Sequence, residues 1–406
     1  MNKKLSMAVA GAVMAFGASA ANAGIVIPAG DWTIDIGGNV NTYYTNTHWS
    51  QDLSSNLNGA PTNDNANQIS TGLLPSALGI GGKTRQNDLD IAFQFTFFVG
   101  ANSSSAGSGD FGGNGAGGNS LNIRQAFGTF GDASWGTIKY GRDLGLFGSD
   151  AILSDMTLLG VGQGAGGAGS STLGRIGSGY LYADWVGQIQ YSSPNWNGFS
   201  FAAAIREPWG NSSNSSLGFD GKASYEWAGD AAGKVWVGGI SQRVRTAETT
   251  TLANNQITNT AHAWEIGGKV GYAGFGLVGY YYDGKNMGLP TIANATELTG
   301  LFLANNGTKD HDVDGGYIQG TYTIPGPGTK IGLSWGVSNY DTNSTDPSAT
   351  TADFRDESWV VGVYHPLTKS LNLVAEYTDT EIDNNNLVKT QDGSARTIAL
   401  GAIMFF

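Results

Sequence analysis

Apolar and polar residues alternate along most of the chain. From Leu89 to Val99 every odd-numbered residue is Leu, Ile, Phe or Val, and the residues between them are Asp, Ala, Gln, Thr and Phe. Residues 328–340 and the last segment of the chain show the same repeat of two, which is typical of β-strands with one apolar face. Beyond the N-terminus, no stretch of comparable length has the period of a helix. The pattern predicts an all-β protein with almost no helix.

The connections between the predicted strands are alternately long and short, and the short ones carry turn residues such as Pro194-Asn195 and Ala273-Gly274. An up-and-down barrel has its tight turns at one end and its long loops at the other. We therefore expect a 16-stranded antiparallel transmembrane β-barrel with short periplasmic turns and long extracellular loops, and a soluble β-sandwich or β-helix is the alternative. The strands are predicted at 31–44, 74–83, 88–99, 121–130, 134–141, 180–192, 198–207, 219–228, 233–244, 261–272, 275–283, 313–323, 328–340, 356–365, 370–380 and 395–406.

The N-terminus has the three parts of a secretory signal peptide. Lys3 and Lys4 precede an apolar stretch, and Ala21-Asn22-Ala23 is a small-x-small cleavage pattern. We expect residues 1–23 to be removed and residues 24–406 to form one barrel domain outside the cytoplasm.

Composition removes several classes of function. The net charge of −12 disfavours a nucleic-acid partner. The absence of cysteine excludes disulfides and thiolate metal sites. The four histidines are scattered without ligand spacing, so no metal, no cofactor and no enzymatic activity are expected, although an outer loop could hold surface calcium. Outside the N-terminus no apolar run is long enough for a transmembrane helix.

The last strand ends on an aromatic residue. Reading back from Phe406, apolar residues recur at alternate positions, including Met404, Leu400 and Ile398. We interpret this series as the signal that a barrel-assembly machinery reads during biogenesis. The alternative is an ordinary hydrophobic final strand.

Three segments resemble a known family. They are Arg124-Gln125-Ala126-Phe127 followed by Gly131, Gly136 and Gly141-Arg142; Tyr191-Ser192-Ser193-Pro194-Asn195-Trp196-Asn197-Gly198-Phe199-Ser200; and Tyr364-His365-Pro366-Leu367-Thr368-Lys369 through Ala375-Glu376-Tyr377. Together with the last strand they resemble the general porins of proteobacteria in order along the chain. The resemblance implies a sixteen-stranded barrel in the outer-membrane lipid of a Gram-negative bacterium. It also implies a homotrimer that passes ions and small hydrophilic solutes by diffusion.

The longest connection, residues 142–179, is by resemblance the constriction loop that folds into the barrel. In the family, acidic residues of this loop face basic residues of the wall, and the resulting field separates the paths of cations and anions. By the resemblance, Arg124 and Arg142 are wall basics that oppose Asp150. The pore constriction is predicted to contain Arg124, Arg142, Asp143, Asp150 and Asp155.

Strand parity predicts further residues inside the barrel. If Phe199 and Phe201 face lipid, Arg206 on the same strand points inward. If Tyr225 and Trp227 face lipid, Lys222 and Glu226 point inward. Charges on a lipid face cost about 2–4 kcal/mol near the midplane, which favours the inward orientation. The same argument places Asp35, Asp90, Asp184, Glu265, Lys269 and Glu376 in the lumen.

The leading hypothesis is a passive diffusion porin. The excess of carboxylates suggests a mild preference for cations. The alternative in the same fold is a substrate-selective channel for sugars or organic anions. It is considered because the predicted constriction loop, residues 142–179, is unusually rich in glycine for the family. A third class is an outer-membrane enzyme or a barrel without a pore.

Overall fold

The computed structural model describes residues 24–50, 65–101, 121–163, 171–208, 216–247, 256–287, 312–341, 353–384 and 393–406. The predicted signal peptide, residues 1–23, lies outside the described residues. Eighteen β-strands are present in the described part of the chain. They are β1 (Ile25–Ala29), β2 (Trp32–Trp49), β3 (Asn65–Ser70), β4 (Ser76–Gln86), β5 (Leu89–Val99), β6 (Asn122–Asp132), β7 (Gly136–Leu144), β8 (Trp185–Ser192), β9 (Phe199–Arg206), β10 (Gly218–Trp227), β11 (Ala231–Ala247), β12 (Gln256–Tyr272), β13 (Phe275–Lys285), β14 (Asp312–Thr323), β15 (Lys330–Asp341), β16 (Phe354–Pro366), β17 (Leu371–Asn384) and β18 (Gly393–Phe405).

The strands form one closed antiparallel sheet. From β4 to β18 each strand pairs with the next one in the chain, and β18 closes the ring by pairing with β2. β3 and β4 pair with the two halves of β2 and so share one position in the ring, while β1 extends the same edge of β2 that β18 occupies. The closed barrel therefore has sixteen strand positions, which confirms the predicted fold class.

The alternation of short turns and long loops is also present. The turn between β4 and β5 consists of Asn87 and Asp88, both with positive φ, as a two-residue hairpin turn requires. Ala273 and Gly274 make the corresponding turn between β12 and β13. The connection from β7 to β8 is by far the longest. All tight turns lie at one end of the barrel, as predicted.

The two faces of the sheet differ in chemistry. Phe95, Ile205, Leu333 and Leu400 are each more than 40% exposed on the outer face, whereas the residues that alternate with them point inward and are mostly buried. On β18 the outward series includes Ile398, Leu400 and Met404. Every backbone group of a closed barrel is paired within the sheet, so an apolar exterior is compatible with lipid.

Three local features differ from the predicted strands. The strand predicted at 74–83 corresponds to β4, and β3, which was not predicted, precedes it; residues 71–75 separate the two, and Leu73 and Leu74 are buried there. β1 was not predicted, and it forms a hairpin with the start of β2. The strand predicted from residue 180 begins only at Trp185, because the apolar run before it is buried inside the barrel.

Helical structure is almost absent from the described residues. A single four-residue helix, α1 (Ser149–Ile152), and one 3₁₀ turn, Met156–Leu159, lie in the connection between β7 and β8. No helix in the described part of the chain has the length and apolar character to cross a membrane.

Candidate channel constriction

The connection between β7 and β8, which we call the constriction loop (residues 145–184), folds into the barrel. Its described residues, 145–163 and 171–184, are almost all buried, although loops of a barrel normally lie in solvent. The predicted range of 142–179 overlaps it, and residues 164–170 lie outside the described residues. The inward position of this loop agrees with the resemblance.

Side chains of the barrel wall accept hydrogen bonds from the backbone amides of the loop. The carboxylate of Asp220 accepts from Leu146 N at 2.9 Å, and that of Glu265 accepts from Gly148 N at 2.9 Å. Glu376 Oε2 accepts from both Val161 N and Gly162 N, at 2.7 and 2.8 Å. Buried amides without partners would be costly, so these wall acceptors fix the path of the loop.

Tyrosines of the barrel wall also bind the loop. The hydroxyl of Tyr317 donates to Ala151 O at 2.8 Å, and that of Tyr43 donates to Leu159 O at 2.6 Å. Tyr280 and Tyr364 donate to the carboxylates of Glu265 and Glu376, which themselves bind the loop. The lumen aromatics in this region are therefore supports for the loop.

Arg175 fastens the returning half of the loop. Its guanidinium is fully buried and donates to Ser334 Oγ at 2.6 Å and to Ser358 Oγ at 3.1 Å. The loop thus contacts β15 and β16 in addition to the strands already described. Arg175 was not among the predicted site residues, because nothing in the sequence shows that a loop arginine will be buried.

Asp150 lies on α1 between two lysines of the wall. Its Oδ2 is 2.7 Å from Lys222 Nζ and its Oδ1 is 2.7 Å from Lys234 Nζ. Burial disfavours the charged carboxylate, but the two ammonium groups outweigh that effect and hold the pKa of Asp150 well below its usual range. Its direct partners in the wall are therefore two lysines, whereas the sequence pointed to Arg124 and Arg142 as the basic residues that oppose it across the lumen.

Arg124 points into the barrel at a β-bulge. The register between β5 and β6 shifts at Thr96/Phe97, which turns Arg124 toward the lumen, where its guanidinium lies 4.8 Å from the centroid of the Phe98 ring. Bulges commonly redirect a side chain in this way. Arg124 is thus a wall residue of the lumen, as expected from the resemblance.

Arg142 differs from the prediction. In the register of β6, β7 and β8 it pairs with Ala126 and Gly187, and it shares the outward face of Tyr140, which is 51% exposed. Its Nη1 donates to Trp185 O at 2.6 Å. The prediction that Arg142 lines the lumen is not supported by this register, because side chains alternate strictly between the faces of a strand.

The remaining acidic residues of the predicted constriction have separate partners. Asp143 contacts Lys139 Nζ at 2.5 Å and accepts from Gln125 Nε2 at 2.8 Å. Asp155 caps the 3₁₀ turn by accepting from Thr157 N, and it also accepts from Tyr180 OH at 2.8 Å. Asp155 therefore supports the loop internally, whereas Asp143 faces the lumen.

Of the other predicted lumen residues, Arg206, Glu226 and Asp90 lie on the inward faces of their strands. Arg206 is buried 3.4 Å from Asp220, and Glu226 lies 3.3 Å from Lys234. Asp184 precedes β8, so strand alternation does not decide its orientation; it is half-buried, and Trp185 N donates to its carboxylate at 2.7 Å. Asp90 lies at the periplasmic end, where it pairs with Arg85 at 2.8 Å.

The open part of the lumen lies between α1 and the wall from β6 to β11. A cavity of about 330 Å³ there is lined mainly by lysines, carboxylates, serines and glutamines. Sequence reasoning missed Lys139 and Lys234 as lining residues, although the strand parity that identified Lys222 would have found both. The principal polar residues of the lining are Gln125, Lys139, Asp143, Ser149, Asp150, Gln190, Ser192, Ser200, Lys222, Ser224, Glu226 and Lys234.

A closed antiparallel barrel with an apolar exterior, a polar interior and an inward loop that narrows it is a transmembrane β-barrel channel. Comparison with known families agrees, because a family model described as Gram-negative porin matches residues 8–385. The chain belongs to the Gram-negative porin family, and the outer membrane is accordingly its location. A search of curated protein sequences finds no match.

Solved structures with the same fold are distant in sequence. The anion-selective porin from Comamonas acidovorans is 14% identical, with a TM-score of 0.61 over 92% of this chain and all of that one. The outer membrane channel DcaP of Acinetobacter baumannii is 14% identical, with a TM-score of 0.64 over 95% of this chain and all of that one. The trimer form of in-vitro folded OmpT from Vibrio cholerae is 16% identical, with a TM-score of 0.57 over 92% of this chain and 99% of that one. At such identities the likeness concerns the fold alone.

Proposed function

We propose that the protein passes ions and small hydrophilic solutes through the outer membrane by passive diffusion. The observation that carries this proposal is the polar cavity beside the constriction loop, because a sixteen-strand barrel is wide enough to hold water unless a loop fills it. The loop occupies one side of the lumen and leaves the wall from β6 to β11 lined by hydrated side chains. Passage rather than catalysis is the proposed role.

Selectivity of this pore is expected to be weak. The mild cation preference expected from total charge draws no support from the cavity, where Lys139, Lys222 and Lys234 accompany Asp143, Asp150 and Glu226. Most carboxylates of the chain lie elsewhere, including the extracellular ends of the strands. Equal numbers of both signs in the narrow part favour a pore that passes cations and anions at similar rates.

Planar-bilayer recording of the purified, folded protein tests this function. A linear current that does not saturate with salt concentration is expected for a diffusion pore. Block of that current by a micromolar sugar or organic anion would instead favour the substrate-selective alternative. Absence of conductance from folded protein would reject both and favour a barrel without a pore.

We also propose that three copies associate. Arg142 supports this, because an exposed arginine on the outer face, six residues above the periplasmic end of β7, is unfavourable in lipid and favourable against a carboxylate of a second copy. One of the neighbours in fold is described as a trimer form. R142L should lower the temperature at which the oligomer dissociates on unheated gels, whereas R355L, on the opposite side of the barrel, should not. Equal dissociation temperatures for R142L and the natural protein would contradict the proposed interface.

Export and assembly are proposed from the two ends of the chain. Cleavage before Gly24 would release a barrel whose first residue lies beside Gly37 and the last strand, since Phe406 N and O both bond to Gly38. N-terminal sequencing of protein from outer membranes should begin at Gly24. Phe406 and the outward series before it are proposed to be read by the barrel-assembly machinery, and deletion of Phe406 should reduce the amount of folded barrel in the membrane.

A further inference from the structure

Two lysines face each other directly on the lumen wall. Lys234 of β11 and Lys269 of β12 are a cross-strand pair in the antiparallel register, and both side chains point into the barrel. Residues paired in this way have Cβ atoms about 5 Å apart, and like charges at that distance destabilise a sheet. Such a pair is favourable only if an anion nearby offsets the repulsion between the two ammonium groups.

The anions present do not neutralise the pair. Asp150 uses one oxygen for Lys222 and the other for Lys234, and Glu226 lies 3.3 Å from Lys234. Within the part of the chain that the structure describes, Lys269 makes no hydrogen bond or ion pair. Three lysines thus share two carboxylates, which leaves one positive charge without a direct partner.

The unneutralised charge is accessible to solutes. Lys269 and Lys234 line a second cavity, of about 440 Å³, which adjoins the first and shares Glu226 and Lys234 with it. Gly271 and Gly276 lie on the inward face and also line this second cavity, so no side chain larger than hydrogen occupies those two positions near Lys269. A small solute that leaves the constriction toward the periplasm can therefore reach both ammonium groups.

We propose that Lys269 and Lys234 form a binding subsite for the carboxylate group of small organic anions that pass through the pore. This inference rests on the proposed diffusion function and adds a preferred class of solute to it. The subsite increases the local concentration of such anions on the periplasmic side of the constriction. Asp150 and Glu226 partly neutralise Lys234, whereas Lys269 has no carboxylate of the described residues in direct contact. Lys269 is the residue on which the subsite chiefly depends.

Succinate is the probe for the test, and K269Q is the variant. The control is K83Q, which removes the same charge from the lumen face of the opposite wall, three residues from the periplasmic end of β4 just as Lys269 is three residues from the end of β12. Reversal potentials in a gradient of potassium succinate give the permeability of succinate relative to potassium. This ratio should fall at least threefold in K269Q, because one unit charge at about 7 Å in water changes the local concentration of a univalent ion about threefold and succinate carries two charges. It should change little in K83Q.

Liposome swelling provides the second readout. The rate with succinate is divided by the rate with arabinose for the same variant, so that differences in the amount of folded protein cancel. The normalised succinate rate should fall in K269Q only. Equal values for K269Q, K83Q and the natural protein would overturn the subsite, whereas a natural protein that conducts neither ions nor arabinose would overturn the diffusion function itself.

Discussion

The two sides of the lumen have the same strand geometry, but one side binds the constriction loop and the other lines an open cavity. On the side from β12 to β17, inward residues such as Glu265, Tyr317 and Glu376 are buried against the constriction loop and bind its backbone. On the side from β6 to β11, Lys139, Ser200 and Glu226 line an open cavity. Both sets alternate with apolar outward residues in the same way. The difference shows that strand parity decides only whether a side chain is inside, and that the loop decides whether the inside is dry or wet.

The loop also determines which charges take part in conduction. Carboxylates on the loop side, including Glu376 and Glu265, are used for hydrogen bonds to amides. Only the carboxylates of the cavity side remain in contact with mobile solutes. The overall charge of −12 is therefore a poor guide to the charge that an ion meets in the pore.

The largest effect is expected from removing an anchor on the loop side. E376A leaves the amides of Val161 and Gly162 and the hydroxyl of Tyr364 without their acceptor. Each buried group left unpaired costs about 1–3 kcal/mol, so the loop should detach from β17 and enter the open cavity. Single-channel recordings should show frequent closures. D379A, on the outer face of the same strand, should conduct as the natural protein does, and an E376A channel without added closures would show that the loop side does not depend on this anchor.

The next largest effect is expected on the cavity side, at Asp150. D150N removes the carboxylate shared by Lys222 and Lys234 and leaves both ammonium groups facing the lumen. The reversal potential in a potassium chloride gradient should move toward anion selectivity, by about threefold in the permeability ratio for a unit charge near the ion path. D155N, a change of the same kind inside the loop, should shift it less. A shift toward cations in D150N would contradict the assignment of the cavity as the ion path.

A smaller and more specific effect concerns acid. The two lysines hold the pKa of Asp150 below its usual value, so the carboxylate should stay charged as the pH falls through about 3.9, the value for an unperturbed aspartate. The stabilisation from these ion pairs is present above that pH and is lost only when the pH falls through the lowered pKa. The difference in reversal potential between D150N and the natural protein should persist at pH 3. Its disappearance between pH 5 and 3 would show an ordinary pKa.

The smallest effect is expected from Y317F. It removes one hydroxyl that donates to Ala151 O and keeps the ring in place against Tyr180 and Tyr280. The loss of a single hydrogen bond is worth about 0.5–1.5 kcal/mol, so the barrel should stay folded and closures should increase only slightly. The frequency of closures should lie between those of the natural protein and E376A. A frequency equal to that of E376A would mean that the ring, rather than the acceptors of the wall, is the main support.

Much of the fold follows from local sequence. Alternation at Leu89–Val99 and at Phe199–Ile205 identifies strands and their lipid faces, because a repeat of two needs no information from distant residues. Turn residues such as Ala273 and Gly274 mark the tight connections for the same reason. Elements that depend on distant contacts were predicted less well, as the unpredicted strand β3 shows, which pairs with one half of β2 while β4 pairs with the other half.

The candidate site was predicted only in part. Parity placed Arg206, Lys222 and Glu226 in the lumen, and resemblance identified the inward loop. Asp150 was singled out, but its lysine partners come from strands far away in the sequence. The outward orientation of Arg142 depends on the register of β7 with β6 and β8, which the resemblance alone did not reveal.

By itself, the amino-acid sequence determined that the chain closes into a barrel with sixteen strand positions, an apolar outside and a polar inside, because these properties depend on short-range alternation and on turn residues. Only the tertiary structure decided which side of the lumen is filled and which is open, and which charges meet there. The path of a forty-residue loop is set by acceptors such as Glu265 and Glu376, more than a hundred residues away from the amides that they bind.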